Sequence, residues 1–264
     1  MCRLFGQHAH PGHRVAEPLC SAHNALRFQS HAHPHGWGIG WYEDGSPTVR
    51  RGTLPAHEDE AFARAAGEAR SRVVIAHVRE KSVGEISAEN THPFVHGRWI
   101  FAHNGTVSRF RHVASVRAAI EAEIDSDLRT LIQGETDSER IFLLFLSRLR
   151  GRSSLAHAGL EDVRRAMRET VALVAGRADR GAEKPSSLNL LVTDGRILAA
   201  CRRRRPLHLA ADAGPRHLFV VASEPIGDAA RWEEVPEGGF VATEDGPTAV
   251  RGRLRGRTWV TRAA

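Results

Sequence analysis

SRVVIAHVR (71–79) and GRWIFAHNG (97–105) are the stretches whose reading decides the fold. Each is an apolar run that finishes in histidine plus a polar residue. That is the pattern of a buried strand whose far end opens on a loop, where functional groups gather. Working outward, residues 2–7 (CRLFGQ) read as a short strand, 18–29 as a helix, and HAHPHGWGIGWYEDG as a glycine-rich turn entering a strand over Gly38–Tyr42. Helical composition marks 58–70 and 112–123. Thr136 and Glu139 have the spacing of a capping box, opening a helix that Gly151 ends. A longer helix is expected over 160–180. After Lys184-Pro185 come short β-rich runs: LNLLVTDG, RILAAC, HLFVVAS, GGFVAT and GRTWV. Strands, then helices, then strands predict an α+β fold with a packed sheet layer rather than alternating βαβ units. No linker or repeat divides the chain, so residues 2–264 are expected to form one domain.

Composition narrows the class. The 264 residues are 41% hydrophobic and 26% charged, ordinary globular usage, and a chain of this length folds without disulfide or metal staples. The net charge of +6 is carried almost wholly by arginine, the only lysines being Lys81 and Lys184. The run Arg202 to Arg205 and the tail Arg251, Arg253, Arg255 and Arg257 raise a nucleic-acid reading. No binding motif accompanies them, so they read as a solvated basic surface. Three cysteines (Cys2, Cys20, Cys201) without regular spacing argue against a disulfide framework and for a reducing compartment. No run approaches ~18 apolar residues, so no membrane span is expected. The N-terminus lacks the apolar core of a signal peptide, and a cytoplasmic location is expected. Histidines cluster at His8, His10 and His13 and at His31, His33 and His35, but no cysteine or carboxylate spacing completes a zinc site. No metal or cofactor is expected, and Cys20 and Cys201 read as inert.

Four elements carry chemistry, each with a bland alternative. Cys2 follows an initiator methionine that its small side chain allows to be removed. The freed α-amine, with a pKa near ~7.7–8.0, could then take the thiol proton. Otherwise Cys2 is a chance cysteine. Asn104-Gly105 is either a hairpin turn or an oxyanion hole built from a side-chain amide and a backbone N–H. Arg79 is either a surface ion-pair partner or a bidentate fork for a carboxylate. Asp137 is either a helix cap or the anion for an ammonium group. Together, a cation, an anion, a nucleophile and an oxyanion hole describe the binding of an α-amino acid with a reactive side-chain carbonyl, and glutamine fits.

The order Cys2, HGWGIG, AHVR, ENTHPF, FAHNG, GETDSE resembles the stand-alone class II glutamine amidotransferases of the N-terminal-nucleophile hydrolase superfamily. The likeness runs from residue 2 to at least 145 and more weakly through NLLVTDGRILAAC and VVASEPIGD. It implies a four-layer αββα sandwich with two mainly antiparallel sheets. By position it implies Cys2 as nucleophile, Asn104 and Gly105 as oxyanion hole, Arg79 on the α-carboxylate and Asp137 on the α-amine. Ser82 and His92 fall where relatives line the glutamine pocket, and Gly36-Trp37-Gly38 where they pack a turn beside the nucleophile. Many relatives fused to a synthase carry an aromatic residue directly after the arginine; this chain has Glu80-Lys81. The expected substrate is glutamine or a γ-glutamyl compound. The amidotransferase fold is expected to use the whole chain, which leaves three readings: a γ-glutamyl peptide or thiol-metabolite hydrolase, a glutaminase subunit feeding a separate synthase, and a catalytically silent binding module. Oligomeric state is not set by these residues.

Overall fold

The computed structural model describes residues 2–10, 14–212, 218–227, 231–246, 248–254 and 258–260. Met1, His13, Arg255 and Arg257 lie outside the described residues. Four strands come early: β1 (Arg3–His8), β2 (Trp37–Glu43), β3 (Ser46–Gly52) and β4 (Val73–Val78). The short β5 (Phe94–His96) and long β6 (Trp99–Thr106) follow. After the helices come β7 (Ser187–Thr193), β8 (Ile197–Cys201), β9 (His208–Asp212), β10 (Leu218–Ala222), β11 (Glu233–Glu234), β12 (Gly239–Glu244), β13 (Val250–Arg253) and β14 (Thr258–Val260). They form two seven-stranded antiparallel sheets, ordered β11-β9-β10-β1-β4-β2-β3 and β14-β13-β12-β8-β7-β6-β5.

Strand period 2 sorts the side chains into three cores. Leu4 of β1, Ile75 of β4, Ile100 of β6, Leu191 of β7 and Phe219 of β10 meet between the sheets. Phe5, Trp37 and Trp41 face the other way, onto α2 (Glu60–Glu68) through Phe62. Phe101 and Leu190 face α5 (Asp137–Arg150) and α6 (Leu160–Ala178) through Phe142, Phe145 and Met167. A helix layer thus covers each outer face, and the αββα sandwich expected from the sequence is the observed one.

Several elements differ in detail. Residues 18–29 do not form one helix. A single π-type turn, Glu17–Ser21, is separated from the one-turn α1 (Leu26–Gln29) by Asn24, whose φ of 55° is left-handed and whose side-chain amide donates to Pro225 O at 2.8 Å. The helix expected over 112–123 is α3 (Ala114–Glu121), followed by the one-turn α4 (Ser126–Arg129). The capping box of α5 is half made. Thr136 Oγ1 accepts from Glu139 N at 3.3 Å, but the Glu139 carboxylate turns to the N–H groups of Gln133 and Gly134 and to Arg140. Asn104-Gly105 is not a turn: both lie inside β6, paired with Asn189 and Leu188.

The GWGIGW motif has a packing reason. Trp37, Ile39 and Trp41 point outward to the α2 core, and Gly38 and Gly40 leave the inner face bare. The His92-Pro93 segment then lies directly on the strand. A Cβ at Gly38 would sit 2.1 Å from His92 O, a backbone atom; one at Gly40 would meet only side chains, at 3.0 Å or more. Gly38→Ala is therefore expected to destabilise the fold by about 1–3 kcal/mol, and Gly40→Ala by less. Urea unfolding checks this as a lower midpoint at unchanged m-value.

Candidate active site

The two sheets bring β1 of one against β6 of the other, and a small cavity opens beside that contact. Its wall includes Cys2, Arg79, Ser82, His92, Gly105 and Asp137, six of the seven residues singled out in the sequence. Its free space, about 20 Å³, is room for one water molecule. The elements converge because Cys2 precedes β1, Arg79 and Ser82 follow β4, Gly105 is in β6 and Asp137 opens α5.

Cys2 Sγ sits on the backbone of Glu80. The thiol donates to Glu80 O at 3.4 Å, and Glu80 N donates to Sγ at 3.3 Å. Burial pushes the Cys2 thiol above its ordinary value, while the Glu80 N–H and the Arg79 guanidinium pull it back. A thiol so placed needs a base to ionise it.

Arg79 is buried, with Nη1 donating to Glu85 O and Nη2 to Val83 O, both at 3.0 Å. The guanidinium thereby folds the 80–85 segment over the cavity, using one edge of its fork. Asp137 is also buried. Its Oδ2 accepts from Val107 N at 2.7 Å and its Oδ1 from Ser138 Oγ at 3.3 Å. Ser138 Oγ is 2.9 Å from His103 Nδ1, and His103 Nε2 is 3.1 Å from Ser187 O. His103 and Ser138 stand inside two of the quoted motifs, FAHNG and GETDSE; their link to Asp137 needs the fold to be seen.

The ladder fixes how Gly105 is presented. Leu188 spends its N–H on Arg203 O at 3.1 Å, on the far side of β7. The Gly105–Leu188 pair is therefore a non-hydrogen-bonded one, and the Gly105 N–H faces away from β7. On that side β5 covers only residues 99–101 of β6, so the N–H faces the open edge of the strand. Glycine is required for a second reason: a Cβ would lie 1.9 Å from Ser187 O.

Asn104 stands behind the wall rather than on it. Its side chain points into the space between the sheets, as strand alternation from Ile100 and Ala102 dictates. There Nδ2 lies 2.9 Å from Ser223 Oγ, and Oδ1 has no partner. Ser82 Oγ lies 3.5 Å from Thr106 Oγ1, and the His92 ring lies tilted against that of His77, with centroids 4.1 Å apart. Glu80 faces His33, with 3.7 Å between its carboxylate and Nδ1. Among the described residues no group of three or more His, Cys, Asp or Glu is placed to hold a metal ion, and no helix is long and apolar enough to cross a membrane.

The chain is thus a two-sheet αββα sandwich with Cys2 immediately ahead of a central strand. The model of the family "Glutamine amidotransferases class-II" matches residues 1–216, and the chain belongs to that family. It is 28% identical over 209 residues to the probable glutamine amidotransferase DUG3 of Saccharomyces cerevisiae, covering 73% of this chain but only 57% of that protein. It is 32% identical over 230 residues to the gamma-glutamyl-hercynylcysteine sulfoxide hydrolase of Mycobacterium tuberculosis, covering 85% and 82%. Among solved structures, a glutamine aminotransferase class-II domain protein from Silicibacter pomeroyi superposes with a TM-score of 0.66 at 23% identity, over 96% of this chain and 99% of that one.

The buried histidines set a pH dependence. Burial pushes His33 down to about 4 and His77 to about 3, and it holds His92 well below its ordinary value. Unfolded histidine titrates near ~6.5, so below that pH the unfolded chain binds protons that the folded one refuses. Stability is complete above about pH 6.5 and falls with acid by roughly 1.4 kcal/mol per pH unit for each such histidine. Thermal midpoints should hold from pH 7.5 to about pH 6.5 and fall from there to pH 5, and replacing His33 by Asn should flatten the slope.

Proposed function

We propose that this chain cleaves the γ-amide of glutamine or of a γ-glutamyl compound through a thioester on Cys2. The observation that carries the reading is the convergence of one thiol, one buried guanidinium, one buried carboxylate and one outward-facing glycine N–H on a single cavity. Arg79 takes the α-carboxylate and Asp137 the α-ammonium, which leaves the γ-carbonyl facing Sγ. With Met1 removed, the α-amine of Cys2 accepts the thiol proton, and Sγ bonds to the γ-carbon. The oxyanion is held by the Gly105 N–H and the Asn104 amide. Collapse breaks the C–N bond, and the leaving nitrogen takes the proton from the α-amine. Water, deprotonated by the same amine, then attacks the thioester, and glutamate departs with Cys2 regenerated.

A second observation favours a γ-glutamyl amide larger than glutamine. Where fused relatives place an aromatic residue, Glu80 presents a carboxylate toward His33, so the wall beside Cys2 is polar. A polar wall suits a substituted amine as leaving group. The relative described as a gamma-glutamyl-hercynylcysteine sulfoxide hydrolase supports this reading, in which the chain is an amide hydrolase working without a synthase subunit. These steps draw only on the chain's own thiol, amine and hydrogen-bond donors, and a reducing compartment keeps such a thiol free.

Cys2→Ala is expected to abolish glutamate release from both glutamine and γ-glutamyl dipeptides, by at least about 10³-fold. Asp137→Asn is expected to raise KM by roughly 10- to 100-fold through loss of one charge-assisted hydrogen bond. Glutamate-release assays on the two substrate classes check both. Turnover by Cys2→Ala at the wild-type rate would sink the proposal, and a glutamine kcat/KM equal to that of every γ-glutamyl peptide would sink its second part. The pH profile of kcat/KM should fall on the acid side through the α-amine pKa, near ~7.7–8.0.

A further inference from the structure

Ser223 is a buried hydroxyl that none of the readings above uses. It follows directly on β10, and alternation from Phe219 and Val221 turns its side chain inward, between the sheets. Its backbone N–H donates to Leu4 O at 3.0 Å, and its Oγ accepts from Leu4 N at 3.0 Å. The same Oγ lies 2.9 Å from the Asn104 amide nitrogen. One side chain therefore joins the strand that carries Cys2 to the strand that carries Asn104 and Gly105, across the gap between the sheets. Glu224 adds to the grip, its carboxylate pairing with Arg3, the residue that follows Cys2.

The amide orientation does not balance as it stands. Ser223 Oγ accepts from both Leu4 N and Asn104 Nδ2, while Asn104 Oδ1 is buried with no donor. A hydroxyl has one hydrogen to give, and the nitrogen and oxygen of an asparagine amide occupy equivalent positions. Turning the amide by half a turn about χ2 gives the Ser223 hydroxyl hydrogen an acceptor and moves the unpartnered end of the amide from oxygen to nitrogen. Oδ1 then accepts the Ser223 hydroxyl hydrogen, and Nδ2 becomes the end without a protein partner.

We infer that Ser223 is the positioning residue of the oxyanion hole: by donating to Asn104 Oδ1 it leaves the Asn104 N–H bonds free for the developing oxyanion. The assignment rests on the reading of Asn104 as an oxyanion donor. Hydroxyl donation is the selective element, since a side chain that could only accept would favour the opposite amide orientation.

The test is a kinetic cycle on the full chain with a γ-glutamyl dipeptide as substrate. Ser223→Ala should lower kcat by about 10- to 100-fold with KM within about threefold, because only the developing charge feels the loss. Ser223→Thr, which keeps the hydroxyl, should stay within about threefold of wild type. In an Asn104→Ala background the further change Ser223→Ala should cost less than about twofold, since residues acting as one unit are not additive. Alkylation of Cys2 by iodoacetamide, which forms no oxyanion, should keep its wild-type rate in Ser223→Ala. A wild-type kcat in Ser223→Ala, or an equal loss in both backgrounds, overturns the assignment. If Ser223→Ala fails to fold, Ser223→Cys, a weaker donor of similar size, takes its place, and a wild-type kcat there overturns it equally. Should Asn104→Ala and Cys2→Ala both turn over normally, the parent reading fails instead; if only Ser223→Ala does, the parent reading stands without Ser223.

Discussion

The ladder that seats Arg3–His8 between β4 and β10 is the constraint on which the rest of the molecule leans. A chain end is normally the least ordered part of a domain, because it has neighbours on one side only. Here the opposite holds. β1 is paired along both edges, with six residues in register against β4 and four against β10. Its faces are divided between two cores, Leu4 into the inter-sheet space and Phe5 under α2. Gly6 lets the second sheet come close enough for Leu191 to rest on the strand, at 2.9 Å from where a Cβ would stand. Cys2 stands one step outside this strand, with its sulfur on the backbone of Glu80.

Around the thiol the interior is polar, and its polarity is arranged by backbone as much as by side chains. Arg79 is spent partly on carbonyls of its own loop, Asp137 on the N–H of Val107, and Cys2 on both backbone groups of Glu80. The histidines nearby are kept neutral by burial. A neutral imidazole adds no positive charge beside Arg79 and no competing cation beside Asp137.

The architecture was legible in the sequence wherever burial was one-sided or complete. The runs 73–78 and 99–106 are apolar because both faces of their strands are covered, and they were readable for that reason. β3 left no trace because it is largely exposed and carries Pro47, Arg50 and Arg51. The break in 18–29 depends on Asn24 bonding to Pro225, two hundred residues away in sequence, which no local propensity encodes. Asn104-Gly105 is ambiguous by nature, since the dipeptide that favours a hairpin also permits close packing; its ladder partners decided the matter. Cys2, Arg79, Ser82, His92, Gly105 and Asp137 were singled out from short motifs far apart in the sequence, and the fold brings these six to one cavity. Ser223 was not, being a serine at the end of an unremarked strand. Its two contacts span 119 and 219 residues of chain.

The fit of Gly105 against Ser187 has an evolutionary consequence. The glycine is demanded by strand packing as well as by any chemistry, so a lineage that lost catalysis would still be held to it. Cys2 has no such second employer: it precedes its strand, and only its sulfur touches Glu80. In descendants that keep this fold without turning over substrate, drift should appear first at position 2, while Gly105 survives as a fossil of the sandwich rather than a mark of activity.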